Sequence, residues 1–200
     1  MTRAEGDAAP PETTVSVDHF TGMYLAKDDP WDVATLWHNQ RKYAVTLASL
    51  PREHYRSCYE PGASIGVFTR MLAPRCDAIL ATDSVPEAVD QLRSQTADLP
   101  HVTASLAAVP AEMPSATFDL VVIGDLLYYL SAADFDAFLT GLTSVLEPGG
   151  DLVSLHFRDR GNDNYDGFNV HAALLARPEF EHVIRHEDEW FLLDVLRRLP

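Results

Sequence analysis

Two hundred residues suit one domain able to bury its own core, and 46% hydrophobic residues fit a globular chain. The 30 acidic and 15 basic residues leave a net charge of −15, a field that repels nucleic-acid backbones and anionic lipid and favours cationic or neutral partners. No apolar run approaches the ~18 residues of a membrane helix, no charged-then-apolar segment opens the chain, and Cys58 and Cys76 lack metal-ligand spacing; a reducing cytoplasm is the expected compartment.

Residues 1–17 are polar, contain Pro10-Pro11 and lack periodicity, so a disordered tail is expected there. Residues 18–51 read as a helical cap before a core at 55–200. Asp29-Pro30-Trp31-Asp32 has the form of a helix start, with Asp29 as cap and Pro30 in the first turn. Val33, Leu36, Trp37, Ala44, Leu47 and Leu50 then recur at helical spacing, and Pro51 stops that helix.

Strands and helices alternate from Ser57 onward. Ser57–Glu60 is strand one, Gly66–Leu72 a helix and Ala78–Thr82 strand two. Ser84 and Glu87 have capping-box spacing and open a helix to about Leu99. Val102–Leu106 is a weak third strand. Phe118–Ile123 is an unbroken apolar fourth, as expected when both sheet faces are covered. Ser131 caps a helix that buries Phe135, Phe138, Leu139, Leu142, Val145 and Leu146. Pro148-Gly149-Gly150 ends it, and Leu152–Phe157 is strand five. After a polar loop, Asn169 caps a short helix through Ala176. His182–Arg185 and Phe191–Leu196 then pair as an antiparallel hairpin around a solvated Glu187-Asp188-Glu189 turn. The predicted fold is a single α/β domain, Rossmann-like and doubly wound. Its sheet is seven-stranded and mostly parallel, with an antiparallel C-terminal strand and the ligand at the carboxyl ends of the strands.

Strand one ends in Tyr59-Glu60-Pro61-Gly62-Ala63-Ser64-Ile65-Gly66-Val67-Phe68, a glycine turn that runs into a helix. Glycine backbone lets a ligand approach closely, and a helix start offers unpaired N–H groups. Asp83 follows 21 positions after Gly62 at the tip of strand two, where a carboxylate can hold the two hydroxyls of a ribose. A nicotinamide site wants G-x-G-x-x-G. Here Ala63-Ser64-Ile65 separates Gly62 from Gly66, so the middle glycine is missing, and there is no room for a substrate domain.

Glu60-Pro61-Gly62, Asp83, Phe118-Asp119-Leu120-Val121-Val122 and Leu146-Glu147-Pro148-Gly149-Gly150, in that order, resemble the class I S-adenosylmethionine-dependent methyltransferases. A narrower resemblance, over roughly Phe20 to Arg198, is to the nodulation protein S family. It is carried by Asp29-Pro30-Trp31, Arg41-Lys42-Tyr43-Ala44, Leu50-Pro51-Arg52 and the glycine turn. Leu127-Tyr128-Tyr129-Leu130, His156-Phe157-Arg158, Val170-His171 and Phe191-Leu192-Leu193-Asp194-Val195 add to it. The resemblance implies S-adenosyl-L-methionine as cofactor. It also implies N-methylation of a small-molecule amine, such as an amino sugar or the free amine of a partly deacetylated chitin oligosaccharide. Natural-product O-methylation and a silent cofactor-binding protein are the alternatives, and the oligomeric state stays open. Ala107-Ala108 stand where such enzymes often carry an adenine-binding Asp, and His38-Asn39 where relatives tend to have Tyr-Glu.

Under that reading Glu60 orders the turn or meets the methionine amino group, and Gly62 and Gly66 give close approach beside Ser64. Asp83, with Ser84 next to it, takes the ribose, and backbone near Val109 takes the adenine. Trp31 acts as a lid, and Arg41 pairs with the methionine carboxylate. Asp125 holds either the cofactor's amino group or the substrate amine, and Tyr128 and Tyr129 line the transfer pocket. Each has a plainer alternative as a strand-end acid, a core aromatic or a solvated arginine. An alkylamine titrating near ~10.4 is mostly protonated at neutral pH and must lose a proton before it attacks. His156, ending strand five, is the first candidate for that base and Tyr128 the second. No metal is expected.

Overall fold

A computed structural model describes residues 9–158 and 165–200. Its strands are β1 (Cys58–Pro61), β2 (Ile79–Asp83), β3 (Val102–Leu106), β4 (Phe118–Gly124), β5 (Leu146–Phe157), β6 (Phe180–Glu187) and β7 (Phe191–Arg198). They form one sheet in the order β3-β2-β1-β4-β5-β7-β6. Pairing is parallel from β3 across to β5, and β7 runs antiparallel to both β5 and β6. The chain winds one way from β1 and back the other way from β4. The carboxyl ends of those two strands therefore flank the crevice where doubly wound sheets bind ligands.

The helices are α1 (Val17–Ala26), α2 (Trp37–Ala48), α3 (Val67–Leu72), α4 (Pro86–Gln95), α5 (Ala132–Val145) and α6 (Gly167–Leu175). Strand alternation divides the core in two. Leu120 and Val122 of β4 join Cys58, Phe68, Leu92, Val153 and Leu155 on one face. Val121 and Ile123 join Phe138, Leu142, Leu152, Val170 and Leu174 on the other. Each such fully buried side chain contributes about 1.5–3 kcal/mol. Among the described residues, no helix is long and apolar enough to cross a membrane.

Several local readings differ from the structure for physical reasons. The first eight residues of the expected tail, and residues 159–164 of the polar loop, lie outside the described residues. Thr14 and Val15, however, are folded: Thr14 accepts the Ser131 N–H, and the Val15 N–H donates to the Tyr129 carbonyl. Ser16 then caps α1 through the His19 N–H. Asp29 accepts N–H groups as a cap does, from Val33 and Ala34, but the helix does not continue, because Asp32 turns left-handed at φ 52. Helix α2 starts only at Trp37 and buries Asn39, Lys42 and Thr46, while Leu36 and Trp37 are exposed.

Ser84 and Glu87 do not form a capping box. Asp83 accepts the Val85 N–H instead, and α4 ends at Gln95, with the N–H of Thr96 closing on Leu92. Asp166, not Asn169, caps α6, with Asn169 as the reciprocal partner in its capping box. Helix α5 stops at Val145. Pro148-Gly149-Gly150 lies within β5, where the β4 register shifts between Phe118 and Leu120. The turn at Asp188 is not merely solvated, since Asp188 accepts the Trp190 and Phe191 N–H groups and pairs with Arg41.

Candidate active site

A cavity opens at the carboxyl ends of β1, β2 and β4. Its floor is the turn after β1, where Gly62, at φ 71, Ala63 and Ser64 line it. A Cβ on Gly62 would sit 3.3 Å from a Leu126 methyl, so glycine answers both the backbone angle and the crowding there. Glu60 lines the same floor, is 4% exposed, and has its Oε2 buried without a hydrogen-bond partner. Burial pushes its carboxyl up to about 8, against a smaller lowering by the nearby Thr69 hydroxyl.

That shift makes stability depend on pH. The ordinary carboxyl value is 4.5, so between there and about 8 the folded chain holds a proton that the unfolded chain has lost. Stability is unaffected by this group below the lower value. It falls by up to about 1.4 kcal/mol per pH unit as pH rises through the window. Denaturant titrations of wild type and Glu60→Gln across that range check this. The variant is expected to show a flatter decline, and parallel curves would assign the decline to other groups.

Asp83 ends β2 and also lines the cavity. Its two oxygens accept the Ser64 N–H at 2.9 Å and the Val85 N–H at 3.0 Å, which ties the acid to the turn after β1 and to the start of α4. Burial raises its carboxyl, opposed by the N–H groups of Val85, Ser64 and Ser84. Ser84 and Val109 line the wall beside it. Ala107 and Ala108 donate their N–H groups to the Asp83 carbonyl and the Glu112 carboxylate, which leaves Val109 as the remaining amide of that turn. Phe20 and Tyr24 of α1 cover the cavity and pack on the Trp31 ring. The Tyr24 hydroxyl lies 2.6 Å from the Ser64 hydroxyl and so reaches the glycine turn.

Asp125 stands across the cavity, just after β4, at φ 50. Its Oδ1 accepts the Phe157 N–H at 2.8 Å and the Tyr128 hydroxyl at 3.0 Å, and its Oδ2 pairs with the Lys42 ammonium. Lys42 is 1% exposed and lies over the Phe157 ring at 4.6 Å. Sequence reasoning did not single out Lys42, although Arg41-Lys42-Tyr43-Ala44 carried part of the family resemblance. Asn39 also lines the cavity and donates to the Trp31 carbonyl, while His38 stacks on Trp190 at 5.0 Å and meets Phe157 edge-on.

Trp31, Glu60, Gly62, Ser64, Asp83, Ser84, Val109, Asp125 and Tyr128 thus converge on one cavity, with Tyr129 beside them. Arg41, Gly66 and His156 do not line it. Arg41 faces away, pairing with Asp188 over the Phe191 ring. Gly66 caps α3 at φ 85, and a Cβ there would meet a Leu92 methyl at 2.6 Å; packing of α4 explains it, not a ligand. His156 is fully buried on the α6 side of β5. Both its ring nitrogens lie within hydrogen-bond distance of protein partners, so it has no nitrogen to offer an acceptor amine.

The family model for nodulation protein S matches residues 14–166. The chain belongs to the nodulation protein S family. Nodulation protein S of Bradyrhizobium diazoefficiens is 33% identical over 137 residues, which are 68% of this chain and 66% of that protein. The chain thus spans about two thirds of the length of that curated relative. A solved methyltransferase of Pseudomonas syringae, assigned only as putative, is 37% identical. It covers 82% of this chain and 100% of its own, with a TM-score of 0.74. The N-methyltransferase NodS of Bradyrhizobium japonicum WM9, solved with S-adenosyl-L-homocysteine, shares the fold at a TM-score of 0.82. It is 24% identical and covers 92% of this chain and 99% of its own.

Proposed function

We propose that this chain is an S-adenosyl-L-methionine-dependent methyltransferase. Its acceptor is the amine of a small molecule, such as an amino sugar or a partly deacetylated chitin oligosaccharide. The observation that carries this reading is the pair of acids flanking the glycine turn. Glu60 offers a buried oxygen without a partner, and Asp83 is anchored by two N–H groups. The pair suits a ligand with a cationic group near the turn and a vicinal diol at the β2 tip. A dinucleotide site would want a middle glycine where Ala63-Ser64-Ile65 stands, so that the backbone could approach the pyrophosphate.

When bound, S-adenosylmethionine supplies a methyl group already activated on a sulfonium. Glu60, Gly62 and Ser64 hold its amino-acid end, Asp83 and Ser84 its ribose, and Val109 its adenine. Trp31 and α1 exclude water. At the other end Asp125 and Tyr128 orient the acceptor amine. Because Lys42 already compensates the Asp125 charge, an ammonium gains little there, and the nearby cation favours the neutral, nucleophilic amine. Orientation in a shielded site then does most of the catalytic work. A reducing cytoplasm is its proposed compartment.

Titration calorimetry tests the cofactor. One saturable site for S-adenosylhomocysteine and none for NAD is expected, and the reverse pattern would overturn the reading.

A further inference from the structure

The sheet ladder between β4 and β5 ends at Gly124 and Leu155. Beyond it, three successive residues of β5 still grip the turn that carries Asp125 and Tyr128. The Leu155 carbonyl accepts the Asp125 N–H at 2.8 Å, and the Phe157 N–H donates to the Asp125 side chain at 2.8 Å. Between them the His156 Nε2 accepts the Leu127 N–H at 3.2 Å. Leu127 is fully buried, so without that nitrogen its N–H would lose its partner away from water. The imidazole stands in for a backbone acceptor that the ladder no longer supplies.

This contact fixes the direction of a buried chain of hydrogen bonds. A nitrogen that accepts carries no proton, so neutral His156 bears its proton on Nδ1. That nitrogen lies 3.2 Å from the His171 Nε2 and 3.1 Å from the Ser154 hydroxyl. His171 in turn presents its Nδ1 to the Asp194 carboxylate at 2.5 Å, which makes Nδ1 the donor and Nε2 the acceptor. The other Asp194 oxygen meets the His182 Nε2 at 2.7 Å. Asp194 is buried. Burial alone would raise its carboxyl, yet hydrogen bonds from His171 and His182 and the Arg185 charge hold it below the ordinary range. Burial, with His171 and Lys42 nearby, likewise pushes His156 well below 6.5.

We propose that His156 is a positioning residue. Held in the Nδ1–H form by His171 and Asp194, it anchors the Leu127 amide and so sets the Asp125–Tyr128 turn against the cavity. Its effect on turnover rests on the methyltransferase reading, whereas its tautomer does not.

Nitrogen NMR of the isotope-labelled full chain tests the tautomer without cofactor or acceptor. Nδ1-protonated neutral rings are expected at both His156 and His171. An Nε2 proton or an imidazolium at His156 overturns the proposal. Two substitutions test the anchor. His156→Gln places an amide oxygen where Nε2 stands and can still accept the Leu127 N–H, whereas His156→Asn places its amide where Nδ1 stands and cannot. The Gln variant is expected to stay within about threefold of wild-type turnover, and the Asn variant to fall about tenfold or more. Equal loss in both variants would overturn positioning in favour of a base or a merely structural role. If wild type methylates no amine, the methyltransferase reading fails. The tautomers, and the Leu127 amide shift in the two variants, still decide the anchor.

Discussion

Asp83→Ala is expected to weaken S-adenosylhomocysteine binding about 100-fold to 1,000-fold. Two ribose hydroxyls meet this one carboxylate, and removing it costs roughly 1.5–2 kcal/mol for each, at the low end for hydrogen bonds to a charged group. The same change leaves the Ser64 and Val85 N–H groups without their acceptor, which loosens the glycine turn and the start of α4 together. Asp83→Asn retains an oxygen for one of those N–H groups and should fall between wild type and alanine. Titration calorimetry reads both variants, with thermal unfolding as the check on folding. Binding by Asp83→Ala within about threefold of wild type would remove Asp83 from the site.

Lys42→Met should be the other large effect. The change leaves the Asp125 carboxylate at the cavity wall without its counter-charge. Because that carboxylate is 28% exposed, the cost is set below the ~3–5 kcal/mol of a fully buried pair, at about 1–3 kcal/mol. Adding Asp125→Asn should recover much of that loss. Asparagine keeps an oxygen for the Phe157 N–H and the Tyr128 hydroxyl while removing the uncompensated charge. Denaturant midpoints of the two single variants and the double variant measure the coupling. A Lys42→Met protein as stable as wild type, or a double variant no better than that single one, would show that the pair is not energetically linked.

The sheet was readable because the apolar run of β4 and the apolar strands after it leave few alternatives. The glycine turn and Asp83 were readable because backbone chemistry dictates them. Side-chain direction was harder. Arg41 and Lys42 are neighbours in sequence but about 100° apart around α2, so only one can face the site. The apolar periodicity of that helix placed Leu36 and Trp37 inside, whereas its buried face is Asn39, Lys42 and Thr46. A polar face covering a functional cavity produces no hydrophobic signal. His156 illustrates the same limit on a strand. Leu155 and Phe157 line the cavity, and alternation turns the residue between them toward α6. Its place at a strand tip resembled an active-site base, and parity decided otherwise.

Methyl transfer from S-adenosylmethionine to an amine is the proposed reaction. The most direct measurement supplies cofactor with an isotope-labelled methyl group, together with amino sugars and partly deacetylated chitin oligosaccharides, and follows the label by mass spectrometry and NMR. The label is expected on acceptor nitrogen, once per amine. Label on oxygen alone, or no transfer to any amine by a protein that binds S-adenosylhomocysteine, would contradict it.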